Sequence, residues 1–175
     1  MAIFSRKNKA RKRLKAGDPA PRFELTSSTG ECFRLSDRRG KWSVLYFYPK
    51  DFTPGCTKQA CMFRDYVGEI RAEGAEVYGI SKDQPETHAA FAEKHRLSFP
   101  LLADVEGEVM ERYGVKGLFG LAKRWTFLVD PELGISWVGE NVSPSRHADE
   151  VIQVLRRQRS QMVALDKDKK GDRAC

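Results

Sequence analysis

Val44-Leu45-Tyr46-Phe47-Tyr48-Pro49-Lys50-Asp51-Phe52-Thr53-Pro54-Gly55-Cys56-Thr57-Lys58-Gln59-Ala60-Cys61 is the stretch on which the reading of the fold turns. Its first five residues form an uninterrupted apolar run, closed by a proline, and read as a buried strand. Thr53-Pro54-Gly55 breaks the chain. Beyond it, Phe63, Tyr66, Val67 and Ile70 fall at i, i+3, i+4, i+7, the apolar stripe of an amphipathic helix. Cys56 therefore stands where a strand ends and the first turn of a helix begins.

That position carries chemistry. The opening N–H groups of a helix have no partner inside it and, with the helix dipole, favour an anion in front of them. A thiol there ionises more readily than the free reference of about 8.5, and the thiolate is the nucleophilic form. A second cysteine, Cys61, follows five residues later. On an ideal helix that spacing separates the two Cα atoms by roughly 8.5 Å, whereas a disulfide needs about 4.4–6.8 Å. The pair cannot bridge while the helix is intact. A bond between them would require the first turns to unwind, which suits a disulfide that forms and breaks and suits a structural staple poorly.

Outward from this stretch, strands and helices alternate. Phe23–Leu25 and Cys32–Leu35 alternate in polarity around the turn Ser27-Ser28-Thr29-Gly30 and read as an N-terminal hairpin; Cys32 reads as a half-buried strand residue. Ser36-Asp37 begins a short helical turn. Gly74 ends the Cys56 helix, and Glu76–Ser81 is the next strand. Pro85–His95 reads as a helix with Pro at its start and Ala89, Ala90 and Phe91 inward. Pro100–Ala103 is a short strand and Val105–Tyr113 a short helix. Trp125–Val129 and Ile135–Val138 form a hairpin, and Arg146–Gln161 a closing helix with Val151, Ile152, Val154 and Leu155 on its apolar face. This alternation predicts an α/β protein with a central mixed sheet flanked by helices.

Several of these residues together carry a family resemblance. Pro49-x-x-x-Thr53-x-x-Cys56 resembles the active-site signature of the peroxiredoxins, and Cys61 resembles the arrangement of the bacterioferritin-comigratory-protein/peroxiredoxin Q subfamily. Phe99-Pro100-Leu101-Leu102-Ala103-Asp104, Tyr113-Gly114-Val115 and Arg124-Trp125-Thr126-Phe127-Leu128-Val129-Asp130 agree in order. The resemblance spans Lys15 to Gln158 and implies a thioredoxin-like fold. It also implies a thiol-dependent peroxidase acting on hydrogen peroxide and organic hydroperoxides, without metal, haem or other cofactor.

The same resemblance implies roles. Cys56 would be the peroxidatic nucleophile, oxidised to a sulfenic acid. Arg124 would favour the thiolate and polarise the peroxide, with the neighbouring Lys123 as a competing candidate and a solvated strand-edge arginine as the plain alternative. The Thr53 hydroxyl, able to donate and accept at once, would hold the peroxide, or else bond its own turn. Pro49 would shield the thiolate; ending the strand explains it equally well. Cys61 would resolve the sulfenate as an intramolecular disulfide, recycled by thioredoxin or a similar dithiol. Trp125 departs from the family pattern, where a small residue is common, and bears on the shape of the peroxide pocket.

Composition bounds the rest. The chain of 175 residues, 41% hydrophobic, fits one globular domain, with no run long enough to span a membrane. The net charge of +7 is local: Met1–Ala16 carries seven basic residues and no acid, and the remaining 24 basic residues balance the 24 acidic ones. We read residues 1–16 as a flexible basic extension, 17–162 as the domain and 163–175 as a flexible polar tail. An anchor for nucleic acid or an anionic membrane, or a targeting peptide, are the other readings of the leader; the last is opposed by the missing apolar segment. That lack points to a reducing compartment, the cytoplasm, where a reactive dithiol is catalytic rather than structural. A monomer is expected. Cys175 reads as an incidental free thiol or a site of mixed disulfides. His88, His95 and His147 lack metal-ligand spacing and read as surface residues. No glycine-rich phosphate loop is present, so no nucleotide or flavin is implied. A general thiol–disulfide oxidoreductase is the rival function, opposed by Cys-x4-Cys where thioredoxin motifs have Cys-x2-Cys. A nucleic-acid-binding module acting through the leader is a rival of another class.

Overall fold

The structure, a computed structural model, describes residues 13–171. The readings made for residues 1–12 and for Cys175 lie outside the described residues. The chain forms β1 (Glu24–Ser27), β2 (Cys32–Arg34), β3 (Trp42–Phe47), α1 (Pro54–Ala72), β4 (Ala75–Ser81), α2 (Pro85–His95), β5 (Leu101–Ala103), α3 (Glu108–Arg112), β6 (Thr126–Val129), β7 (Ile135–Gly139) and α4 (His147–Gly171). The strands make one seven-stranded sheet in the order β2-β1-β5-β4-β3-β6-β7. β3 and β5 both run parallel to β4, while β6 runs antiparallel to β3 and the two outer hairpins are antiparallel. The sheet is mixed, as the alternation of elements implies, and the fold is thioredoxin-like, as the resemblance implies.

β3 is buried along its whole length, because both faces of the sheet are covered around it. This is why its sequence is a continuous apolar run instead of an alternation. Val44, Tyr46 and Tyr48 face one core, filled by Phe63, Val67 and Ile70 of α1, Phe91 of α2, and Val151 and Leu155 of α4. Leu45 and Phe47 face the other, with Phe23, Met110, Tyr113 and Phe127. Each wholly buried side chain of this size contributes roughly 1.5–3 kcal/mol of transfer free energy. Tyr46 fits because its neighbour on β4 is Gly79: a β-carbon there would lie 2.7 Å from both the Tyr46 ring and the Leu101 side chain. The Tyr46 ring stacks on Phe63 of α1, with centroids 4.6 Å apart, and so ties the helix of Cys56 to the central strands.

The structure corrects several local expectations. α3 starts only at Glu108, because Asp104 bonds the Val109 and Met110 amides (3.2 and 2.8 Å) across a turn in which Gly107 is left-handed (φ 71°). α4 continues past Gln161 to Gly171, into what the sequence suggests is an irregular tail. Met162-Val163-Ala164-Leu165 holds no breaker, and an established helix propagates at little cost; residues 163–167 of this extension are exposed. Residues 13–16, expected to close a solvated leader, touch the body: Arg13 pairs with Glu140 and Leu14 packs on the second core. Cys32 is exposed, not half-buried, because β2 is the outermost strand. Ala90 is exposed; the inward face of α2 is His88, Phe91, Ala92 and His95. None of the described helices is long and apolar enough to cross a membrane.

Candidate active site

Thr53 caps α1 in extended conformation (φ −83°, ψ 147°), Pro54 occupies the first helical position and no acidic residue lies in the first turn. A proline suits that position, since its absent N–H would have had no partner there. Cys56 is the third residue of the helix, inside the positive end of its dipole. It is only 2% exposed and packs in the same core as Tyr46 and Tyr48. Cys61, the second cysteine of the motif, is half-buried two turns into the intact helix, and both thiols are free.

Arg124 reaches this thiol from 68 residues away. Its Nη2 donates to Cys56 Sγ at 3.4 Å, and its Nη1 donates to Gln59 Oε1. Gly55 permits the approach, since a β-carbon there would lie 3.3 Å from Nη2. Gln59 in turn donates through Nε2 to Nδ1 of His147 at 2.7 Å. His147 is fully buried at the start of α4, and burial, aided by the Arg124 charge, lowers its pKa from 6.5 to about 3. The ring is therefore a neutral acceptor. It fixes which end of the Gln59 amide faces the arginine, and so holds the guanidinium on the sulfur.

The depressed His147 pKa has a consequence for stability. The unfolded chain takes up the proton near 6.5 and the folded chain resists it down to about 3, so stability is complete above 6.5 and falls as pH drops through that interval. Denaturant unfolding near pH 4.5 is expected to give roughly 2–3 kcal/mol less stability from this group than at neutral pH. The variant His147→Phe should lose that part of the acid dependence.

The other anticipated residues take varied places. The Thr53 hydroxyl donates to the Lys50 carbonyl at 2.9 Å, the turn bond that was its alternative reading. Pro49 is half-buried between β3 and the turn. Lys123 lies with Nζ 5.7 Å from the Trp125 ring centre, and Trp125 packs in the core on the opposite face of the sheet from Cys56. Its bulk therefore falls away from the sulfur.

The AhpC/TSA family model matches residues 16–138 of this sequence. The chain belongs to that family. Peroxiredoxin Bcp of Escherichia coli (strain K12) is 42% identical over 150 residues, covering 82% of this chain and 96% of its own. The crystal structure of peroxidoxin BcpB from Mycobacterium tuberculosis shares 41% identity and a TM-score of 0.78, over 82% of this chain and 97% of that one. The bacterioferritin comigratory protein of Xanthomonas campestris, solved as a trapped intermediate/ligand complex bearing on its alkyl peroxide reduction activity, is 32% identical with a TM-score of 0.74, over 77% of this chain and 90% of that one. The protein is thus a peroxiredoxin, a thiol-dependent peroxidase of the oxidoreductase class, whose family implies peroxide substrates and a thiol reductant.

In this peroxiredoxin the loop before Cys56 is braced by buried polar residues that the sequence reading missed. Asp51 accepts from the Tyr48 hydroxyl at 2.6 Å and faces His88 Nδ1 at 2.7 Å, with both the Asp51 and His88 side chains fully buried. His88 Nε2 meets the Leu102 carbonyl at 3.2 Å, and the Asp51 amide donates to Asp83, which also accepts from Ser81. Asp51, Asp83 and His88 have ligand atoms within 4.8 Å of one another, close enough to hold a cation. Those atoms are already engaged with Tyr48, Ser81, one another and the backbone, so the cluster acts as a hydrogen-bonded brace between the loop and α2. The reading of His88 and His147 as surface residues is corrected here. Each has a polar partner inside the core: both ring nitrogens of His88 are engaged, and Nδ1 of His147 meets Gln59, which offsets part of the cost of desolvation. The spacing held a hint: Gln59 is at i+3 from Cys56, and His88 and His95 flank Phe91 at i−3 and i+4.

Proposed function

We propose that this peroxiredoxin reduces hydrogen peroxide and organic hydroperoxides by a two-cysteine cycle within one chain. The Cys56 thiolate attacks one peroxide oxygen, the O–O bond breaks, and the other oxygen leaves as water or an alcohol after taking up a proton. Cys56 is left as a sulfenic acid. Cys61 then attacks that sulfur, forms the 56–61 disulfide and expels water. Thioredoxin or a similar dithiol restores both thiols by two exchanges. Arg124 favours the thiolate and the charge moving onto the leaving oxygen. Thr53, its proton committed to Lys50, offers its oxygen as acceptor to the peroxide O–H, and Pro49 helps to keep water off the sulfur. The cycle needs no cofactor and is read as operating in a cytoplasmic monomer. The basic leader is read as an addition to the domain without a nucleic-acid function.

The observation that carries this reading is the guanidinium of Arg124 on Cys56 at the opening turn of α1. The alkyl peroxide activity of the Xanthomonas relative supports the inclusion of organic substrates. Intact mass after one equivalent of hydrogen peroxide, followed by tryptic mapping, tests it. The expected product has lost two hydrogens. Because Lys58 lies between the cysteines, trypsin should release two peptides held together by the 56–61 bond. A bridge involving Cys32 or Cys175, or a stable sulfenate with no bridge, would overturn the assignment of Cys61.

A further inference from the structure

We propose that His95 is the catalytic base of the resolving step, its Nδ1 accepting the proton of the Cys61 thiol. The inference rests on the reading of Cys61 as the resolving residue and deepens it.

Cys56 and Cys61 are unequally equipped. Cys56 has a guanidinium and the first turn of a helix; Cys61 lies further along α1, beyond that turn. A free thiol, with a reference near 8.5, is only a few per cent thiolate at neutral pH, so an unaided resolving thiol would be slow to attack. Cys61 has a different neighbour. His95 Nδ1 lies 4.0 Å from its sulfur, within the reach of a thiol hydrogen bond. His95 is the last residue of α2, and three elements fix its place. Its ring meets Phe91, one turn back, edge to face at 4.8 Å. Phe52, held in a left-handed conformation in the loop before Cys56, lies 6.5 Å away. Arg64 of α1 donates to its backbone carbonyl at 2.9 Å. The imidazole is thus carried by a helix other than the one that must unwind, yet is aimed at the thiol that must travel.

The charged groups facing the ring are cationic: Lys94 on its own helix and Arg64 on α1, the latter also paired with Asp65 at 2.8 Å. Partial burial, then these two charges, push the His95 pKa down. The imidazole is neutral at physiological pH, and Nδ1 is free to accept.

The step balances. The Cys61 S–H bond breaks and its proton passes to His95. The Cys61 sulfur attacks the Cys56 sulfur, the S–S bond forms and the S–O bond of the sulfenic acid breaks. Hydroxide leaves and takes a proton to become water, which returns His95 to neutrality. The Cys61 sulfur is oxidised and the Cys56 sulfur reduced.

Two-phase oxidation by hydrogen peroxide, followed by rapid quench and mass analysis across pH, tests the inference. Sulfenate formation is the first phase and disulfide formation the second. In wild-type protein the second phase should be fast at neutral pH and slow as pH falls through the His95 titration, because an imidazolium accepts nothing. His95→Gln, and His95→Phe, which retains the aromatic packing, should each slow the second phase by about 10²-fold at pH 7, the lower end of what a positioned base supplies. In both variants that phase should recover at alkaline pH, where hydroxide forms thiolate without a protein base. A second phase with wild-type rate and profile in either variant overturns the proposal, as does equal slowing of both phases. A wild-type protein that forms no 56–61 disulfide removes the resolving reading and this inference together; one that forms it with unaltered kinetics in the His95 variants removes this inference alone.

Discussion

Cys56→Ser is expected to reduce peroxide consumption to the rate of the protein-free solution, and Cys61→Ser to leave one turnover and no cycle. Serine keeps the shape of the side chain at the head of α1 but replaces a polarisable thiolate with a hydroxyl that stays protonated at neutral pH. Arg124 and the helix terminus would then have no anion to favour. In Cys61→Ser the first chemical step keeps all its parts, and a sulfenate should accumulate that a dimedone-type reagent traps. Thioredoxin-supported turnover should be absent, because the disulfide that a dithiol reductant attacks is never made. Sustained peroxide consumption by Cys56→Ser would remove Cys56 from the nucleophile's role.

Arg124→Ala is expected to slow the peroxide step by about 10²–10³-fold at neutral pH, the effect of losing one well-placed donor to a developing charge. Two contributions are separable. If the arginine chiefly favours the thiolate, the deficit closes at alkaline pH, where hydroxide ionises a thiol unaided. If it chiefly polarises the O–O bond, the deficit persists at that pH. A wild-type rate at every pH would clear Arg124 of both. The variant also orphans the Gln59 oxygen and alters the surroundings of His147, so unfolding should be measured beside the kinetics. His147→Phe, which leaves the arginine in place but frees Gln59, should give a smaller kinetic loss of the same kind.

Much of the fold was legible in local patterns. The apolar run before Pro49, the break at Thr53-Pro54-Gly55 and the stripe Phe63-Tyr66-Val67-Ile70 are each written in adjacent residues. They therefore located β3, the turn and α1. The ends of α3 and α4 were harder, because one is set by the side chain of Asp104 and the other by the lack of any breaker before Gly171. The polar partners were hardest. Nothing near Gln59 says that it will hold Arg124, and nothing near His147 says that its ring will lie inside the core.

The sequence by itself determined that a cysteine would open a helix behind a buried strand, with a second thiol out of bonding range until that helix unwinds. Those are consequences of backbone geometry over a few residues. Only the tertiary structure decided what surrounds the two sulfurs. Pairing of β3 with β6, with Tyr46 opposite Thr126, sets Arg124 at the end of the sheet where α1 begins. Packing of α2 and α4 against α1 brings His95 to Cys61 and His147 to Gln59. Such contacts join residues many positions apart, and their geometry follows from strand order and helix packing, which no periodicity in the chain encodes.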